Sequence, residues 1–577
     1  MLPLANRFFL VTDRPATDRK EHSIMSPRER NSLLAAFWLS CVVFLCSLAL
    51  ADPDLWGHTL YGLRARQLGQ LVEPYDPFSY TAVGAVWINH EWLTEYLLGW
   101  LWEFGGNPGL CLWRNAWVVV VFGAVFLAHR RVQGSVAAAV ALWVLSAESL
   151  SEFVVFVRPQ LATFGLFAVS LLVLRRHWDH PERRDIWWLP AITAAWTNFH
   201  GGFLAGIGLQ GIFLAGWFLR LLQQARPRAD EAAVEAATNR RATELRAATA
   251  VTAVFLVSCL ATLLNPYGWR LHAMLWDHLV TAQVVREWQS LWEARQSPIY
   301  YVPFLLIGIA LFGRRRLAWI DFVVLVVVAY QAVSHIRHTA LLAVTCLILL
   351  PAAVTDGLAR MMPRIHEQWS GSSRWPIRMA AAGICLMLMF GLQVRSIASL
   401  WQDNVLPWTV GVESVSDVPG VPLRHIAWLK SQQIDGNILT DYGWGQCVIW
   451  HLFPGSRVAF DGRYRTIYSA ELEQALIEFQ RAGRTQPATT PLLDEYPTEI
   501  VLLPRDRGPV SYMRARTDWV AVAEDDQAVL FLRRGAYPGT NHGDATDWPP
   551  LPEPPRWSAF PGLTEPGDRV PASAVLR

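Results

Sequence analysis

Charge is scarce in this chain. Of its 577 residues, 17% are Asp, Glu, Lys or Arg, against 53% hydrophobic residues and a mean hydropathy of +0.22. Soluble domains carry about a quarter charged residues, so the composition excludes an ordinary water-soluble enzyme and indicates a polytopic membrane protein. The net charge of +2 leaves no basic excess for a nucleic-acid partner. Cysteine is thin too. Cys41, Cys46, Cys259, Cys346 and Cys385 lie inside apolar runs, Cys111 begins another, and only Cys447 falls in a polar region. No CxxC pair is present, so no disulfide framework is visible. A Walker loop, a GxSxG elbow, an HExxH pair, a Rossmann fingerprint and internal repeats are also missing. Tryptophan, by contrast, is abundant at 29 residues, as suits aromatic belts at two membrane interfaces.

A spanning helix needs roughly 20 mostly apolar residues. Runs that meet or approach this are 32–51, 108–128, 134–150, 160–175, 202–222, 247–264, 299–313, 317–334, 339–355 and 377–394. A shorter one, Trp187 to Asn198, ends at Phe199-His200-Gly201-Gly202 and pairs with 202–222, giving about eleven spans. Residues 1–31 are polar and basic, and the run after them is too long for a signal-peptide core, so it reads as an uncleaved first span. Basic clusters at the N-terminus, His129 to Arg131, Arg175 to His177, 223–246 and Arg314 to Arg316 would share one side. The positive-inside rule makes that side the cytoplasm. Loop 51–106, the stretch 148–158, loop 265–298, the turn 335–338 and everything after 395 then face outwards. Segment 223–246 lacks an apolar stripe and reads as a solvated helix.

From about residue 402 the composition becomes that of a water-soluble domain. Helices are expected over Val421 to Ser431 and Ser469 to Ala482. Strands are expected over Asn437 to Thr440, Cys447 to Phe453, Arg457 to Phe460, Glu499 to Leu503 and Trp519 to Leu532. The fold class is therefore a polytopic α-helical membrane protein (32–400) with a small C-terminal α/β domain (402–534). A Pro-rich tail, 535–577, is expected to be disordered.

The densest mixture of acids, histidines, arginines and aromatics is Ala51 to Glu95, directly after the first span. Asp52 and Asp54, with Pro53 between them, suit a non-helical turn at the membrane surface. Either can accept a proton from a hydroxyl or hold a divalent cation, Mg or Mn, beside phosphate oxygens. Asp52 reads equally as a cap for the next helix. Leu55 to Leu71, carrying His58, Arg64 and Arg66, is expected as an interfacial helix in the membrane plane, and Trp87 to Trp92 begins a second. His90 and Glu91 stand there, and Glu91 is as well suited to pairing with an arginine. Arg158, His200, and Arg337 with His338 mark the outward ends of other spans. Charges at membrane depth tend to mark substrate pathways, and arginine's planar fork suits a phosphate. Snorkelling or interhelical pairing explains each of them singly. In the soluble domain, Asp441-Tyr442-Gly443 and Asp461-Gly462-Arg463 are glycine-flanked turns that join strands or shape an acceptor groove.

This layout resembles the GT-C superfamily of membrane glycosyltransferases. The likeness rests on an acidic motif, Asp52-Pro53-Asp54, just after the first span, on interfacial helices in the first external loop, on the number of spans and on the C-terminal domain. Within the superfamily it is similar to bacterial mannosyltransferases and lipid-A aminoarabinose transferases, and the stretches DPDLWGHTLYG, DPFSYT, HEWLTEYLL, RPQ, NFHGGF and FDGRY look like one branch of such proteins. Asp441-Tyr442-Gly443 is similar to the core of the WWDYG motif that oligosaccharyltransferases use to hold an acceptor peptide, without its paired tryptophans. The resemblance implies hexosyl or pentosyl transfer from a polyprenyl-phosphate-sugar donor to a glycan, lipid or protein acceptor. Asp54 or Asp52 would then be the base or metal ligand, in a bacterial inner-membrane protein with a cytoplasmic N-terminus and a periplasmic C-terminal domain. A lipid-linked sugar transporter or flippase, or a non-catalytic envelope assembly protein, would carry many of the same features.

Overall fold

The computed structural model describes residues 27–130, 150–223, 231–280, 286–293, 298–361, 408–412, 420–485, 490–537, 548–552 and 559–563. The expected spans 134–150 and 377–394 and nearly all of the N-terminal segment lie outside those residues.

Apolar runs become helices because a backbone without water must satisfy its own hydrogen bonds. In chain order these are α1 (Pro27–Cys46), α2 (Leu55–Gln67), α3 (Trp92–His129), α4 (Gln160–Asp179), α5 (Leu189–Phe199), α6 (Phe203–Leu222), α7 (Glu231–Ala261), α8 (Trp269–Val280), α9 (Val302–Phe312), α10 (Trp319–Ser334), α11 (Thr339–Leu349) and α12 (Pro351–Met361). Among the described residues, 4 helices are long and apolar enough to cross a membrane, or up to 5 if α11 and α12, bent by 78° at their junction, count as one span. The segment read as a separate solvated helix instead continues into the next apolar run as α7. α3 fuses the expected second interfacial helix with a span. The two parts meet at a kink where Gly106 takes φ 55° and Pro108 follows, since a left-handed residue and a missing N–H both break the helical ladder.

The clearest departure concerns α2. It does not lie on a surface with one wet face, because Leu55 to Leu63 are buried all round. Gly62 and Gly99 bring α2 and α3 into backbone contact, so that a Cβ on either would collide with the other chain segment. Its polar residues are paired internally: Arg64 forks onto Glu73 at 2.9 to 3.1 Å, and Arg66 bonds Glu103 at 2.8 Å.

Short strands do the fine positioning. β1 (Ala49–Ala51), β2 (Phe156–Val157) and β3 (Val410–Gly411) form a parallel sheet in the order β2-β1-β3, with Ala51 beside Val157. That register sets the next residues of each strand, Asp52 and Arg158, side by side.

The C-terminal domain is α/β. Strands β4 (Asn437–Thr440), β5 (Arg457–Val458), β6 (Ile500–Pro504), β7 (Trp519–Glu524) and β8 (Ala528–Arg533) make a mixed sheet in the order β5-β4-β6-β8-β7. Helices α13 (Leu423–Ser431), α14 (Tyr442–Leu452), α15 (Ala470–Thr485), α16 (Pro491–Asp494) and α17 (Pro509–Ala515) join it. Cys447 to Phe453, expected as a strand, is mostly helix α14, with Asp441 capping it by accepting from the Gly443 N–H at 3.0 Å. At the β5 edge, Val458 pairs in parallel with Ser79 of the first loop, so the loop and the domain share one ladder. Part of the Pro-rich tail is packed: Phe560 is 2% exposed against Trp56, Trp102 and Trp450.

Candidate active site

Asp54 is the N-terminal residue before α2, and its backbone carbonyl accepts from the His58 N–H at 2.9 Å. The Asp52 carboxylate accepts the Asp54 N–H at 3.0 Å within the turn before α2; Asp54, not Asp52, stands at the cap position, and its side chain makes no capping bond. The other Asp52 oxygen meets Arg158 at 3.5 Å, and Arg158 also bonds Glu287 at 2.9 Å. Arg158, expected as a phosphate ligand, is thus held between two carboxylates, one of them Asp52. The carboxylate of Asp54 receives no hydrogen bond among the described residues. Burial, reinforced by Asp52, Asp461 and Glu91 against a counter-pull from His58, raises its pKa to about 8.

One turn into α2, His58 donates from Nδ1 to Glu95 at 2.9 Å and lies 3.8 Å from Glu91. Burial opposes its charge, yet the Glu95 hydrogen bond and the Glu91, Glu95 and Asp54 carboxylates outweigh it and raise His58 to about 9. Glu95 also accepts from the Asn89 side chain. Among the described residues Glu91 pairs with no arginine. It faces imidazoles instead, 3.4 Å from His200 and 3.7 Å from His90, and burial lifts it to about 7. His200 Nδ1 accepts the Gly202 N–H at 2.9 Å, which leaves the proton on Nε2, facing Glu91. Burial and neighbouring cations hold His200 well below the ordinary histidine range and His90 at about 3, so both are neutral donors.

His58, Glu91 and Glu95 offer three ligand atoms within 4.8 Å of one another. One imidazole nitrogen and two carboxylate oxygens are a donor set for a divalent cation of the Zn or Mn kind. The excess of buried carboxylate fits it, since the His58 proton now occupies the place a cation would take. The cluster differs from the expected pair Asp52 and Asp54. Glu95 was not singled out from sequence, although Asp54/His58 and Glu91/Glu95 both stand at i, i+4 and so share helix faces.

Arg337 lies in the turn between α10 and α11, half-buried, 4.7 Å over the Trp288 ring. It makes no ion pair among the described residues, and burial lowers its pKa despite the nearby Glu287. His338 Nδ1 bonds the Gln331 carbonyl, and its ring meets His335 edge-on at 5.7 Å. In the C-terminal domain, the Tyr442 and Tyr464 rings meet at a tilt of 53° with centroids 5.5 Å apart, and burial raises the pKa values of Asp441 and Tyr442.

No protein-family model matches the chain, and no curated protein matches it. Among solved structures it is similar to the Archaeoglobus fulgidus oligosaccharyltransferase in complex with Zn and sulfate, at 12% identity over 82% of this chain and 68% of that one, with a TM-score of 0.41. It is also similar to ArnT from Cupriavidus metallidurans bound to undecaprenyl phosphate, at 13% identity over 89% and 99% of the two chains, with a TM-score of 0.43. For the apo state of that protein the values are 13%, 87%, 97% and 0.44.

Proposed function

We propose that the protein is an inverting glycosyltransferase of the bacterial inner membrane, moving a hexosyl or pentosyl group from a polyprenyl-phosphate-linked donor to an extracytoplasmic glycan, lipid or protein. The observation that carries this reading is the undonated carboxylate of Asp54, with its raised pKa, among paired acids and neutral imidazoles. Asp54 removes the acceptor hydroxyl proton. The freed oxygen forms a bond to the anomeric carbon as the bond from that carbon to the phosphate oxygen breaks, and the phosphate leaves with the electron pair. Arg337 meets the charge that develops there, with His90 and His200 as neighbouring donors, while His338 flanks Arg337 in the same turn. Arg158 holds Asp52, and Asp52 holds the turn that presents Asp54. Asp441 and Tyr442 lie on the acceptor side. His58, Glu91 and Glu95 would hold a divalent cation, which neutralises phosphate charge when bound.

Mass spectrometry of envelope glycans and lipids from cells lacking the protein tests the reading: one sugar should disappear from one class of molecule, and an unchanged complement overturns it. In purified protein, Arg337→Ala should weaken binding of polyprenyl phosphate by about tenfold or more. Equal binding removes Arg337 from the phosphate site. Isothermal titration with Mn²⁺ or Zn²⁺ should show a site whose affinity drops by more than about tenfold in His58→Ala. A titration that the substitution leaves unchanged places the cation elsewhere.

A further inference from the structure

We infer that Gly462 and Gln446 of the C-terminal domain are positioning residues for the Asp54 carboxylate, so that this domain supplies one wall of the reaction centre. The significance of that wall rests on the reading of Asp54 as the base, but the geometry does not.

A Cβ placed on Gly462 would run into Asp54 Oδ1 and would itself lie 2.9 Å from Gln446 Nε2. The carboxylate and the amide therefore lie against the same piece of glycine backbone. From the other side, a Cβ on Gly57, one helical turn beyond Asp54, would run into Gln446 Oε1. Gln446 is 1% exposed and fills the space between α2 and the Gly462 turn, and its Oε1 has no donor among the described residues. A buried acceptor left without a donor is destabilising, a cost that shape alone does not require, since leucine would fill a similar volume. The turn cannot retreat to make room. Asp461 is fully buried, accepting from the Arg463 N–H at 2.9 Å and from Tyr468 at 2.8 Å. Any side chain at 462 must therefore displace Asp54 or Gln446.

The test labels carboxyl groups in the full-length protein in detergent with a carbodiimide and an amine, and reads Asp54 by peptide mass spectrometry. Gly443→Ala is the control, because its Cβ meets nothing nearer than Asp441 at 3.4 Å. Asp54 labelling should rise several-fold in Gly462→Ala and change in Gln446→Leu, but not in the control. In a transfer assay Gly462→Ala should lower kcat roughly 100-fold, as a displacement of about 1 Å does, leave the KM for donor alone, and cost nothing further once Asp54→Asn is present. Labelling at the wild-type level in both variants overturns the inference. Should Gly462→Ala fail to fold, Gln446→Leu decides by the same readout. Altered labelling in a protein whose wild type transfers no sugar supports the wall and refutes the proposed function instead.

Discussion

Asp54→Asn should lower sugar transfer by about 10²- to 10⁴-fold while the protein still binds polyprenyl phosphate as the wild type does. The amide keeps the size of the carboxyl and loses only its ability to take a proton. A transporter, which needs no base, would move its substrate nearly as before, and an assembly protein would be indifferent to the change. The wild-type pH profile gives a second measure. A base must be deprotonated to act, and burial with Asp52 alongside raises Asp54 to about 8. Transfer should therefore rise with pH and level off above about that value, and the rise should vanish in the variant.

Stability runs in the opposite direction. A carboxyl whose folded-state pKa is raised contributes stability fully below the ordinary carboxylate range, and that contribution is lost as pH rises towards the folded value. Asp54→Asn should then melt no lower than wild type at neutral pH and higher at alkaline pH. A variant that melts markedly lower would make Asp54 a structural group and remove it from the chemistry.

Much of this centre was legible in the chain. Asp52, Asp54, His58, Glu91, Arg158 and His200 are ionisable residues just beyond apolar runs, and the structure joins them through contacts no longer than 3.8 Å. What pairs with what was not legible. The parallel strands that set Asp52 beside Arg158 are two or three residues long and lie in apolar sequence, where no period betrays them. The run Cys447 to Phe453 fits strand and helix equally because short apolar stretches have no distinguishing period. Asp441 followed by glycines was the local signal for a helix start, and it reads just as well as a turn. The internal burial of α2 was hidden because Arg64 and Arg66 look solvated until Glu73 and Glu103 are seen to meet them. FDGRY was read as a turn, but the structure makes it the join between the first loop and the C-terminal domain.

That join should be the most sensitive point in the fold. Arg463 donates to Asp461 at 2.9 and 2.6 Å and to Asp76 of the first loop at 2.7 Å. Its guanidinium lies 5.0 to 5.2 Å from the rings of Tyr61, Phe78 and Trp87, an arrangement in which a cation gains from each ring face. Asp76 is itself fixed by the N–H groups of Phe78 and Ser79, at 3.0 Å each. Arg463→Ala leaves two buried carboxylates without their cation, and breaking such a pair costs about 3–5 kcal/mol. The variant should unfold at distinctly lower temperature, and limited proteolysis should cut sooner within the first loop around Ser79 and at the FDGRY turn, which pack against each other in the wild type. Arg463→Lys should not rescue it, since one ammonium cannot reproduce the fork that reaches both acids. Neutralising the acids together with the arginine, as Asp76→Asn, Arg463→Met and Asp461→Asn, should recover most of the loss, because no uncompensated charge is then left buried. If the single Arg463→Ala variant melts like the wild type, the two regions are held by the shared β ladder at Val458 and the charge triad is incidental. If it melts low and the triple variant melts equally low, the three groups fix Gly462 by their directed hydrogen bonds, which methionine and asparagine do not restore, and the loss should carry through to Asp54.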